Sequence, residues 1–85
     1  MKNDWLITFR SITFAQKGER RLRQDGISCD LLRTPRALSE RGCGYCLRIR
    51  GKDAVAAVAL LREQEILFGK VYAVTGSGKP EERQL

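Results

Sequence analysis

The residues of this chain best suited to covalent chemistry are its three cysteines, Cys29, Cys43 and Cys46. Cys43 sits in Arg41-Gly42-Cys43-Gly44-Tyr45-Cys46, between two glycines that leave its backbone free and its sulfur open to approach. Arg36 and Arg41 precede it closely and Arg48 follows. Cationic surroundings favour thiolate over thiol, and the thiolate is the nucleophile. Such a loop suits a thiol that receives a soft atom and passes it on. The competing reading is a turn between two strands in which Cys43 is an incidental small residue.

Cys43 and Cys46 also form C-x-x-C, the spacing of a redox pair or of half a metal site. The context disagrees, because a thioredoxin-type pair opens a helix and this one opens a strand. Alternation from Tyr45 puts Cys46 on the same face as Arg48 and Arg50, an open face from which it could resolve a disulfide or persulfide on Cys43. Cys29 falls in an apolar alternating series and reads as core. Histidine is absent, which excludes Ser-His-Asp and Cys-His pairs within one chain and any histidine metal site. No second C-x-x-C completes a zinc site, so no metal is expected, and a thiol that carries a soft atom needs no bound cofactor of its own.

The net charge of +6 is concentrated. Residues 1–9 and 51–85 each balance. Between Arg10 and Arg50 ten basic residues face four acidic ones, and nine of the ten are arginine. Arginine suits forked contacts with carboxylate or phosphate, so this stripe attracts an acidic partner or an anionic substrate. RNA recognition on an open sheet needs exposed aromatics on its central strands, and the series around Arg48 and Arg50 has none. That argues against nucleic acid.

The elements that must position these residues follow from pattern. Trp5-Leu6-Ile7-Thr8-Phe9 is a strand by composition. Thr13-Phe14-Ala15-Gln16 has capping-box spacing and opens a helix that stops at Asp25-Gly26. Its apolar stripe is sparse, Ile12, Ala15 and Leu22, with Gly18 between them. Gly18 costs about 1 kcal/mol of helix propensity against alanine, and close approach of the helix to a sheet is the expected compensation. Residues 27–33 and 45–49 alternate as strands, with a loop from 36 to 44 between them. Asp53 caps a helix over 54–64 whose apolar face is Val55, Val58, Ala59 and Leu61 or Arg62. Residues 66–74 form the last strand.

The order β-α-β-β-α-β predicts an α+β, ferredoxin-like domain: a four-stranded antiparallel sheet with both helices on one face. An 85-residue chain allows one domain, here 1–75, with a flexible C-terminal tail over 76–85. The longest apolar stretch falls far short of the roughly 20 residues of a membrane span. With no leader legible either, the expectation is a cytoplasmic protein away from membranes.

With these motifs assembled, the sequence resembles the selenium/sulfur carrier protein-like family of small bacterial proteins. The resemblance spans about residues 5–74. It is carried by Ile7-Thr8-Phe9-Arg10-Ser11, by Thr34-Pro35-Arg36-Ala37-Leu38-Ser39, and by Cys43-Gly44 ahead of Leu47-Arg48-Ile49. The resemblance implies that Cys43 carries the sulfur or selenium, and that Thr34, Pro35, Arg36 and Ser39 are the loop signature. In the family the Ser-to-Cys spacing is often one residue shorter. The position of Cys46 is often a small non-thiol residue, so a resolving thiol is not implied.

Together these readings predict a small thiol carrier rather than a stand-alone enzyme. Cys43 would take sulfur or selenium from a cysteine desulfurase or related donor and relay it to an acceptor enzyme. Arg36 and Arg41 would hold the anionic charge, Ser39 would hydrogen-bond it, and Gly42 and Gly44 would admit the partner active sites. The alternative is an arginine-rich ferredoxin-like binding module for an acidic protein or nucleic acid, with no thiol chemistry.

Overall fold

Two alternating runs build the centre of the sheet. In β1 (Asp4–Phe9) and β3 (Tyr45–Arg50), pairing antiparallel, Trp5 stands opposite Ile49, Ile7 opposite Leu47 and Phe9 opposite Tyr45. Period-two alternation sends these six residues to one face, where Ile7, Phe9, Leu47 and Ile49 are buried. The computed structural model describes residues 4–34, 44–74 and 80–83. Its remaining elements are α1 (Ile12–Gln24), β2 (Cys29–Arg33), a 3₁₀ turn (Gly51–Asp53), α2 (Ala54–Glu63), β4 (Val71–Val74) and β5 (Pro80–Arg83). The strand order is β2-β3-β1-β4-β5, with every neighbouring pair antiparallel.

Both helices share one core with that face. Ala15 and Leu22 of α1 and Ala57, Val58 and Leu61 of α2 cluster with Ile7, Phe9, Cys29, Leu47, Ile49 and Val71. Gly18 explains how a helix with so sparse a stripe fits. A Cβ there would lie 3.2 Å from Phe9, 3.3 Å from Leu47 and 3.3 Å from Leu61, so the missing side chain is what lets α1 seat against both sheet and α2. The close approach expected of Gly18 is present.

Several local expectations need correction. Ser11, not Thr13, caps α1: its Oγ accepts from the Phe14 N–H at 3.3 Å, three residues on. Ile27 does not begin β2, because its N–H bonds the Leu22 carbonyl (2.9 Å) in a Schellman closure after Gly26, and the strand starts at Cys29. The 3₁₀ turn leads into α2, and the Asp53 side chain makes no capping bond. The buried stripe of α2 is Ala54, Ala57, Val58 and Leu61, leaving Val55 65% exposed.

The last strand is shorter than expected. Ile66 donates to the Leu61 carbonyl (2.9 Å) to close α2, and the regular strand begins only at Val71, although the Lys70 carbonyl already accepts from the Thr8 N–H at 2.9 Å. There Gly69 N–H donates to the Thr8 carbonyl while Lys70 N–H turns to the Thr8 hydroxyl. Two residues thus face one, a bulge-like offset that delays β4 to Val71.

The sheet has five strands, not four. Part of the segment expected as a flexible tail, Pro80–Arg83, pairs along β4, with Val74 opposite Pro80 and Val71 opposite Arg83. Glu and Pro are poor strand formers, so composition pointed the other way. The edge of β4 supplies unpaired backbone groups, however, and proline is tolerated as the first residue of an edge strand.

The closure of α2 contains a testable strain. Glu65 occupies the C′ position at φ 56°, in the left-handed region. An L side chain there costs about 1–2 kcal/mol, and an acid beside a helix C-terminus meets the negative end of the dipole. Glu65→Gly should therefore stabilise the fold by about 1 kcal/mol, after allowing for glycine's freedom in the unfolded chain. Thermal unfolding followed by circular dichroism would show this as a midpoint raised by roughly 4–8 °C.

Candidate functional site

The connection between β2 and β3 is anchored at its root. Thr34 N–H donates to the Gly44 carbonyl at 3.1 Å, so residues 34 and 44 stand together at one point of the sheet. Gly44 is at φ 138°, a backbone that side chains rarely adopt, and a Cβ there would come within 3.3 Å of Thr34 Oγ1 and 3.5 Å of the Phe9 carbonyl. The glycine thus has two jobs, turning the chain into β3 and leaving room for the Thr34 side chain and the Phe9 carbonyl. Arg36, Ser39, Arg41, Gly42 and Cys43 lie outside the described residues, as does Pro35. Cys43 is joined to Gly44 by one peptide bond.

Around this root the register brings Phe9, Tyr45 and Arg33 side by side on neighbouring strands. Arg10 follows Phe9 directly and is exposed, as is Arg33. Thr34 Oγ1 is buried with no hydrogen-bond partner among the described residues. Sequence reasoning gave none of these three a site role beyond the place of Thr34 in the loop signature. The signal that could have found the arginines was the sheet order, which sets the ends of β1 and β2 on either side of the start of β3.

Cys46 is where expectation and structure part. It shares the helix-free face with Arg48 and Arg50, but it is fully buried rather than on an open surface. On a central strand it has a neighbour on each side, Thr8 of β1 and Leu32 of β2. Its Sγ lies 4.0 Å from the Arg33 carbonyl. Burial pushes its pKa up, against smaller lowering by the Thr34 hydroxyl and Arg48. Arg48 itself is bound to Asp30 at 2.8 Å, a bond that raises the Arg48 pKa. Four residues along β3 from Gly44, about 13 Å, Arg48 does not belong to the loop root.

Cys29 is core, as its series predicted. It is 5% exposed, its Sγ lies 3.8 Å from the Glu19 carbonyl, and burial raises its pKa against partial lowering by Arg23. Both described thiols are therefore held protonated near neutral pH. A thiol whose folded pKa is raised contributes stability that is whole below its unfolded pKa of 9.0 and lost as pH rises through the folded value. Urea midpoints should hold steady from about pH 7 to about pH 8.5 and fall above pH 9, less steeply in a Cys29→Ala, Cys46→Ala variant. An equal alkaline fall in that variant would show that other groups cause it.

Among the described residues no group of three or more acidic, cysteine or histidine side chains converges as a metal site. No helix among them is long and apolar enough to cross a membrane. The helix-free face of β1 and β3 carries Leu6, Thr8, Cys46 and Arg48 and no aromatic ring. A family described as putative Se/S carrier protein-like matches residues 4–73 of the chain. Neither a curated protein nor a solved structure matches it significantly.

Proposed function

The chain belongs to the Se/S carrier protein-like family, and from that premise we propose that it accepts sulfur or selenium on Cys43 and relays it to an acceptor protein. One observation supports the choice of thiol. Of three cysteines, Cys29 and Cys46 are buried and their pKa values are raised, so neither offers a ready thiolate. The chemistry falls to Cys43, on the loop rooted by Thr34 and Gly44.

The transfer is a thiol–persulfide exchange. The Cys43 thiolate attacks the terminal sulfur of a donor persulfide, the donor's S–S bond breaks, and a new S–S bond forms on Cys43. The donor leaves as a thiolate, and the transferred sulfur keeps its oxidation state, so no oxidant is consumed. A pyridoxal-phosphate cysteine desulfurase is the donor class that presents such a persulfide. Arg36 and Arg41 hold the charge of the thiolate and of the loaded perthiolate, and Ser39 donates a hydrogen bond to it. Gly42 and Gly44 let partner active sites reach the sulfur. Selenium would travel the same way as a perselenide.

On this reading the framework is a ferredoxin-like βαββαβ unit extended by β5, acting as a rigid base for one reactive loop. Cys46 stays out of the relay. A resolving role would require it to be uncovered and ionised, and its place between two strands opposes both. The test is incubation with a cysteine desulfurase and cysteine, followed by peptide mass spectrometry. One added sulfur on Cys43 is expected; sulfur on Cys29, or none on any cysteine, would overturn the assignment.

A further inference from the structure

The large apolar residues left exposed are not spread evenly. Four are exposed among the described residues, Ile12, Leu32, Val55 and Leu67, at 41%, 38%, 65% and 69%. Three of the four gather at the end of the sheet where the loop is rooted. Ile12 opens α1 three residues after Phe9. Leu67 lies in the segment that Gly69 and Lys70 tie to Thr8 near the end of β1. Leu32 is opposite Cys46, two residues from Thr34. Only Val55, on the first turn of α2, lies at the opposite end, beyond β3.

Charge at this end is sorted as well. Arg10 directly follows β1 and Arg33 ends β2, both exposed and neither in an ion pair among the described residues. The nearby carboxylates lie on the other side: Glu63 and Glu65 at the end of α2, and Glu82 of β5, which is 3.5 Å from Lys70. This end thus carries three exposed apolar side chains, with cations over its β1–β3–β2 half.

We propose that this end face is the surface on which the sulfur-donating enzyme docks: a protein contact with apolar side chains against Ile12, Leu32 and Leu67 and carboxylates facing Arg10 and Arg33. The proposal rests on the carrier reading of Cys43. A loop that hands over an atom must enter the partner's active site, so the contact has to surround the loop's root, and these residues do. Apolar contact supplies binding, while the arginines steer encounter and fix orientation. The buried surfaces of the fold are untouched by such a contact, which suits brief association and release.

The test separates docking from thiol chemistry by using two donors. Arg10→Glu with Arg33→Glu, and separately Ile12→Ser with Leu67→Ser, are loaded either by a cysteine desulfurase with cysteine or by inorganic polysulfide. With the enzyme, the KM for the carrier should rise on the order of tenfold in each double variant, and for the unmodified chain it should rise with salt. With polysulfide, which needs no docking, all chains should load alike. Variants that load from the enzyme as readily as the unmodified chain overturn the docking surface. Equal loss with both donors overturns it too, because the residues would then act on the thiol. Charge-reversed chains that lose retention of single-stranded RNA but load normally from the enzyme would make the face a nucleic-acid surface and overturn the proposal. If neither donor loads Cys43 in the unmodified chain, the carrier reading itself fails and takes the docking surface with it.

Discussion

Replacing Cys43 with serine is expected to abolish sulfur loading and leave the fold standing. Serine keeps the size of the side chain but offers no thiolate at neutral pH, so the exchange has no nucleophile. In sequence the residue lies between two glycines and outside the apolar series of the core, and the stability change should stay within about 0.5 kcal/mol. The other two cysteines give the contrast. Cys29→Ser places a hydroxyl among Leu22, Ile49 and their neighbours, at a cost of roughly 1–3 kcal/mol if the hydroxyl finds no partner, and should load normally. Cys46→Ala removes one buried sulfur, costs about 1 kcal/mol, and should retain most of its loading and transfer. Mass spectrometry of the loaded chains, read beside their thermal midpoints, separates the three. Normal loading in Cys43→Ser would refute the carrier thiol. Loss of transfer in Cys46→Ala with Cys43 still loaded would show that Cys46 takes part in release.

The sheet's centre could be read from sequence because β1 and β3 alternate over their full length, and a one-residue slip would expose Ile7 and Leu47 together. Closure of α1 at Gly26 and the role of Gly18 were legible for the same reason: each concerns one residue whose chemistry permits few alternatives. Legibility failed wherever a neighbour distant in sequence decided. Thr8 sets where β4 begins, by taking the hydrogen bonds of Gly69 and Lys70. The free edge of β4 makes a strand of Pro80–Arg83 against their composition. Cys46 was assigned the right face but the wrong exposure, because alternation gives the direction of a side chain and not whether strands flank it. For the site, the sequence marked the loop by its glycines, arginines and cysteine. It did not reveal that Arg48 is committed to Asp30, or that Arg10 and Arg33 flank the root, since both depend on which strands are adjacent.

Gly18 is the point at which an added side chain would press on the hydrophobic core itself, and Gly18→Val should show it. The bare Cβ of alanine already meets Phe9, Leu47 and Leu61 at 3.2–3.3 Å, a few tenths of an ångström too close. For alanine the gain of about 1 kcal/mol in helix propensity works against that crowding. Valine adds two methyl groups at the same spot, on a β-branched stem with one favoured rotamer in a helix, so it cannot turn both of them away. Overpacking of this kind costs roughly 1–3 kcal/mol, and valine gives back little helix propensity. A domain of this size holds only about 4–13 kcal/mol in all, so a loss of 2–3 kcal/mol should lower the thermal midpoint by roughly 10–20 °C. The strain would also reach the loop, because Phe9 and Leu47 belong to the strands that hold its root at Gly44. A valine variant melting within a few degrees of the unmodified chain would mean that α1 can lift from the sheet at little cost, and that the glycine is not what sets its distance.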